Sequence, residues 1–238
     1  MAPKKIECYI DCVSPYSYYA FVFLKKNRTI LESHGVEVEF IPVFLGGINV
    51  GSGNKPPGEL PAKANYSRYD SKRAQKYFGL EFETPEFFPI LSLRPQRCLI
   101  YTQSHYPRST YESLWLNCFR AMWNDHLDLS ISANMLTAVQ RTFPDNAQDI
   151  SAIMSSSDDP EIKGKLTANT EHAFKDLGAF GCPWFWVTDG EGKGEPFFGS
   201  DRWGFMWEFL GVPGCGYEVL GVGERTHVET KTLGGARL

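Results

Sequence analysis

The 238-residue chain is predicted to be an α/β protein in which a βαβ start and a ββα finish enclose an all-helical block. Three observations predict it. Alternating apolar patterns at residues 6–10 and 36–41 flank an apolar stretch that opens on a proline. Residues 61–177 carry helical spacing and no convincing strand signal. Strand patterns return at 184–188 and 195–198, around a glycine-rich turn.

In chain order, residues 6–10 form the first strand, which turns at Ser14-Pro15. Proline suits the first position of a helix, where its missing N–H leaves no bond unmade. A short apolar helix over residues 16–24 follows, and a second strand over 36–41 completes a βαβ unit with a parallel pair. Residues 46–57 read as a Gly/Pro-rich loop. Helical spacing recurs at Tyr111, Leu114, Trp115, Cys118, Ala121 and Met122, and again from Pro160, with Asp158 and Asp159 supplying the N-cap. The block ends at Gly178-Ala179-Phe180-Gly181-Cys182-Pro183. A strand over 184–188, a hairpin turn over 189–194 and its partner over 195–198 come next. A final amphipathic helix over 202–210, capped by Ser200 or Asp201, precedes a glycine-rich, extended tail. This order is that of a thioredoxin-type core with an inserted helical domain. Residues 1–45 and 178–215 would form the core, 46–177 the insertion and 216–238 the tail. No G-x-G-x-x-G follows the first strand, which disfavours a dinucleotide site.

Composition narrows the function. The net charge is −4 and the basic residues are scattered, so nucleic acid is not an expected partner. No apolar run approaches the ~18 residues that span a bilayer, and no membrane association is expected. The N-terminal residues pass directly into a strand without a secretory apolar region, so an intracellular protein is expected. Cysteines at 8, 12, 98, 118, 182 and 215 form no C-x-x-C pair and match no zinc spacing, and the five histidines are equally unpatterned. No metal is expected. Cys8, Cys98 and Cys118 read as small buried hydrophobes.

Four segments can carry chemistry. Ser14 lies at the exit of the first strand, against the positive end of the first helix. It can serve as a plain N-cap or as a donor to an anion such as a thiolate. Pro183 cannot donate to a ladder and marks a special bend, in cis or trans, that leaves the backbone of Cys182 free for an extended peptide ligand. Ser200-Asp201 begins the last helix, where a carboxylate or amino group can bind. The loop Gly51-Ser52-Gly53-Asn54-Lys55-Pro56-Pro57 can present Asn54 and Lys55.

Together the segments Asp11-Cys12-Val13-Ser14-Pro15-Tyr16-Ser17, Gly51 to Gly58, Gly178 to Pro183 and Phe198-Gly199-Ser200-Asp201-Arg202 resemble the kappa-class glutathione transferases. The 2-hydroxychromene-2-carboxylate isomerases and the DsbA-type oxidoreductases share that fold. The resemblance implies glutathione as co-substrate, with Ser14 bonding its sulfur and Pro15 and Tyr16 beside it. Asn54 and Lys63 would reach the peptide, Cys182 before a cis-Pro183 would pair with the cysteinyl moiety, and Ser200 and Asp201 would hold the γ-glutamyl end. It further implies conjugation to small hydrophobic electrophiles, with room for peroxide reduction, a detoxification role and a homodimer. A glutathione-dependent isomerase and a non-catalytic thiol-binding protein remain alternatives. Cys182 departs from the aliphatic residue usual in the family. Ser14 and Ser17 stand where a dithiol enzyme needs cysteines, which argues against disulfide exchange. The C-terminal Ala236-Arg237-Leu238 fits an S-K-L-type address and suggests the peroxisome, with mitochondrion or cytoplasm as alternatives.

Overall fold

The computed structural model describes residues 2–215 and 217–221. The C-terminal Ala236-Arg237-Leu238 therefore lies outside the described residues. The chain runs β1 (Lys4–Ile10), α1 (Pro15–Ser33), β2 (Val36–Pro42), α2 (Leu45–Ser52), a 3-10 turn (Pro57–Glu59) and α3 (Pro61–Phe78). It continues through α4 (Leu93–His105), α5 (Arg108–Trp123), α6 (Ser132–Thr142), α7 (Ala147–Ser156) and α8 (Pro160–Lys175). The closing elements are β3 (Trp184–Thr188), β4 (Gly194–Phe198), α9 (Trp203–Leu210) and a small ribbon of β5 (Gly214–Cys215) and β6 (Glu218–Val219).

The main sheet has the order β2-β1-β3-β4, with β1 and β2 parallel and the other pairs antiparallel. Alternation sorts its two faces. Ile6, Cys8, Ile10, Val38, Phe40, Phe185 and Val187 enter the large core with Phe21, Trp115 and Trp203, whereas Tyr9 and Trp184 join Ile48 of α2 and Ala173 of α8 on the opposite face. The large core also takes in Met122, Met135 and Val139, so sheet and inserted helices share one interior. The register sets Tyr9 opposite Trp184, which brings the start of β3 beside the end of β1.

The expected strands and the parallel pair are present, and Asp159 caps α8 by accepting the N–H groups of Glu161 and Ile162. Three local expectations need correction. The first helix is 19 residues long because its polar run does not end it: Arg28 turns inward, bonding the Val38 carbonyl at 2.8 Å and Glu112 of α5 at 2.5 Å. Residues 45–52 are helical rather than loop. Their glycines serve close packing, since a Cβ at Gly51 would stand 2.5 Å from the Phe174 ring of α8. The last helix is not capped by Ser200 or Asp201, because Arg202 holds the cap position without a side-chain bond.

Arg28 and Glu112 form a buried pair, with side chains 10% and 7% exposed. Removing one member of such a pair strands the other charge. Glu112→Ala is expected to lower unfolding stability by about 3 kcal/mol in urea titration, and Arg28→Met with Glu112→Leu together to recover most of it.

Candidate functional site

Beyond Ile10 the chain turns through Asp11, Cys12 and Val13 into Ser14. That turn is held by the Ser14 N–H donating to the Asp11 carbonyl at 3.0 Å. Ser14 has extended backbone angles and caps α1: its Oγ accepts the Ser17 N–H at 3.2 Å. The same hydroxyl donates to the Cys182 carbonyl at 3.1 Å, across 168 residues of sequence. The Cys182–Pro183 bond is cis. One 4%-exposed hydroxyl therefore joins the positive end of α1 to the cis-proline loop.

The structure brings most of the expected residues to this point. Asn54, just past α2, donates from Nδ2 to the Phe180 carbonyl at 2.5 Å and so rests on the same loop. Tyr16 packs edge-on against Tyr19 at 5.8 Å, and its phenol is pushed up to about 12 by burial and then by Asp70, Tyr19, Tyr66 and Asp201. Tyr16 therefore feels charge both from α3 and from the loop that carries Ser200 and Asp201. Ser200 is buried, whereas Asp201 is exposed and bonds Arg202 at 3.1 Å. Gly199, at φ +87, allows the Asp201 carboxylate to fold back to 3.1 Å from the position a Cβ would take. Lys63 lies exposed on the first turn of α3.

Cys182 corrects one expectation: its carbonyl is not free but accepts from Ser14. Its thiol is pushed well above the ordinary range, first by burial and then by the charge of Asp11. A thiol held protonated is a poor nucleophile. The backbone at 182, rather than the sulfur, is what the site presents. Among the described residues no cluster of His, Cys, Asp and Glu is arranged to hold a metal ion.

Sequence reasoning assigned no role to the groups beneath Ser14. Gln96 of α4 is fully buried and ties the ends of two strands, donating to the Ile10 and Val43 carbonyls at 2.9 and 2.7 Å. Trp123 donates to the Cys12 carbonyl at 3.0 Å. Asp11 is fully buried too, and its carboxylate accepts from the Val13 and Leu45 N–H groups and the Ser92 hydroxyl. Gln96 stands between Pro95 and Arg97 and Asp11 at a strand's exit, and neither carries a local signal of this role.

Burial pushes the Asp11 carboxyl up from 3.8 to about 6, against the hydrogen bonds that favour its ionised form. With the native value above the unfolded one, native protein binds extra protons between these values. The contribution of Asp11 to stability is thus full below its unfolded pKa and is lost as pH rises through about 6, with a ceiling of about 3 kcal/mol. The stability of the protein relative to Asp11→Asn, from urea unfolding at successive pH values, is expected to fall as pH rises from about 4 to about 7. A difference independent of pH would contradict the shift.

Comparison with known proteins agrees with this geometry. The DSBA-like thioredoxin domain family matches residues 5–211. Glutathione S-transferase kappa 1 of Caenorhabditis elegans is 30% identical over 218 residues, covering 88% of this chain and 92% of the relative. The Homo sapiens protein of the same name is 28% identical over 217 residues, with coverages of 88% and 92%. A 2-hydroxychromene-2-carboxylate isomerase of Sphingobium xenophagum is 23% identical over 211 residues, covering 87% of this chain and 98% of the relative. Among solved structures, a 2-hydroxychromene-2-carboxylate isomerase superposes with a TM-score of 0.69 at 20% identity, covering 87% and 94% of the two chains. With its N-cap serine set against a cis-proline loop on this scaffold, the chain belongs to the DsbA-like thioredoxin-fold family and, within it, to the kappa-class glutathione S-transferases.

Proposed function

We propose that this glutathione transferase activates its co-substrate through Ser14: the hydroxyl that bonds the Cys182 carbonyl turns to donate to the sulfur of bound glutathione and favours its thiolate. The observation that carries the reading is that hydroxyl, held at the N-terminus of a 19-residue helix and facing the cis-proline loop. A free thiol has a pKa of about 8.5, and lowering it by two units needs about 2.7 kcal/mol of preferential thiolate stabilisation. A hydrogen bond to a charged group contributes about 1.5–3 kcal/mol and a helix terminus about 0.3–1 kcal/mol, so together they suffice.

The tripeptide would lie along residues 180–182. The Cys182 N–H pairs with the cysteinyl unit, Pro15, Tyr16 and Pro183 shape the wall, and Asn54 and Lys63 approach the peptide. Ser200 and Asp201 take the γ-glutamyl end. The thiolate then forms a bond to an electrophilic carbon of a small hydrophobic substrate. With an aryl halide, the carbon–halogen bond breaks and halide departs. Detoxification fits this chemistry. The reading extends to a homodimer, on the resemblance, and to a peroxisomal location, on Ala236-Arg237-Leu238. Light scattering and a reporter carrying the tail with and without Leu238 test the two.

Ser14→Ala is expected to raise the pKa of bound glutathione by about 1–2 units and to lower kcat at pH 7 about tenfold or more. The glutathione KM should stay within about threefold, because the peptide contacts are elsewhere. Unchanged turnover would remove the mechanism. The isomerase relative favours a second reading, in which the same thiolate adds to substrate and leaves again. Glutathione consumed in step with product supports transfer, whereas product formed with glutathione conserved supports isomerisation.

A further inference from the structure

The exit of β1 gathers the starts of three helices around one residue: the Asp11 carboxylate joins α2 and α4, and its backbone N–H reaches α1. Leu45, the first residue of α2, gives its N–H to Asp11 Oδ2 at 2.8 Å, while Phe44 at the cap position makes no side-chain bond. Ser92 stands at the cap of α4, yet its hydroxyl accepts no N–H of its own helix and donates to the same Asp11 oxygen at 2.6 Å. Asp11 Oδ1 takes the Val13 N–H at 3.1 Å, and the Asp11 N–H reaches the Ser17 hydroxyl of α1 at 3.4 Å. The titratable groups facing Asp11 are Cys12 on its own turn and Cys182 across the site. Among the described residues no Lys, Arg or His forms a salt bridge with it, so all its donors are uncharged. A fully buried carboxylate without a cation is unfavourable by itself, and its hydrogen bonds are what retain it.

We propose that Asp11 is a positioning residue for glutathione activation. By fixing the 11–14 turn against α2 and α4, it holds the Ser14 hydroxyl where the sulfur of bound glutathione receives it. The inference rests on the Ser14 reading above. Asp11 does not touch the substrate, and its two influences on a thiolate oppose each other. Holding Ser14 in place lowers the thiolate pKa, whereas the negative charge alone raises it, as it does for the Cys182 thiol. The sign of a shift therefore separates them.

Asp11→Asn sets an NH2 group before donors that require an acceptor, and Ser92→Ala removes one donor while the carboxylate stays. The test is the ultraviolet thiolate titration of bound glutathione in the wild-type protein and both variants. The apparent pKa is expected to rise about one unit in Asp11→Asn and about half as much in Ser92→Ala. In Asp11→Asn, kcat should fall about threefold at pH 7 and about tenfold well below the pKa of the bound thiol, with the glutathione KM within about threefold. If the wild-type complex forms no thiolate, the Ser14 reading fails and this inference with it. If the wild type titrates but both variants superpose on it, or shift to lower pH, the role of Asp11 alone is overturned. Should Asp11→Asn not fold, the direction of the Ser92→Ala shift decides.

Discussion

Everything at this site depends on keeping a carboxylate dry at the end of β1. A fully buried Asp11 without a cation is retained only if donors converge on it, and the chain supplies them from the turn before α1, the first residue of α2 and the cap side chain of α4. Helix starts are suited to this, because their first N–H groups lack intrahelical partners and carry a partial positive charge. Meeting that requirement brings α2 and α4 together at one point, and the Asp11 backbone N–H ties α1 to it through Ser17. The sheet register then places the cis-proline loop opposite, since Tyr9 of β1 pairs with Trp184 of β3. Ser14 is the group through which the two halves of the arrangement meet.

The same physics disfavours the ionised form of five of the six thiols. Cys8, Cys12, Cys98, Cys118 and Cys182 are all unpaired and buried. Burial is the first cause pushing each thiol upward, Cys98 to about 12. Charge from Asp11 adds to this for Cys12 and Cys182, the two nearest Ser14. In the proposed reading the thiolate arrives with the ligand. A hydroxyl at position 14 matches that division: it can donate to a foreign anion without becoming a competing nucleophile.

What the sequence made legible was what local chemistry dictates. Proline after Ser14 marks a helix start, alternation at 36–41 marks a strand, and a proline before an aromatic strand marks a bend. What it hid was non-local. The glycines of α2 resemble a loop until Phe174 is seen packed where a side chain would stand. Arg28 lies in the polar run beyond the expected short helix over 16–24, and only Glu112, 84 residues on, shows why it is drawn inside. Ser200 and Asp201 have the right chemistry for a cap, but the helix starts one residue later and Arg202 takes the cap position. Asp11 and Ser92 are unremarkable in their own segments and acquire meaning only from each other. The strands, bends and helix starts were thus readable one segment at a time, and the groups packed beneath them were not.

The most direct measurement is a crystal structure of the protein soaked with glutathione at a pH where the thiolate forms. The sulfur is predicted within hydrogen-bonding distance of Ser14 Oγ, with the tripeptide extended along the loop before Pro183. A sulfur directed away from Ser14, with the hydroxyl still bonded to the Cys182 carbonyl, would contradict the mechanism.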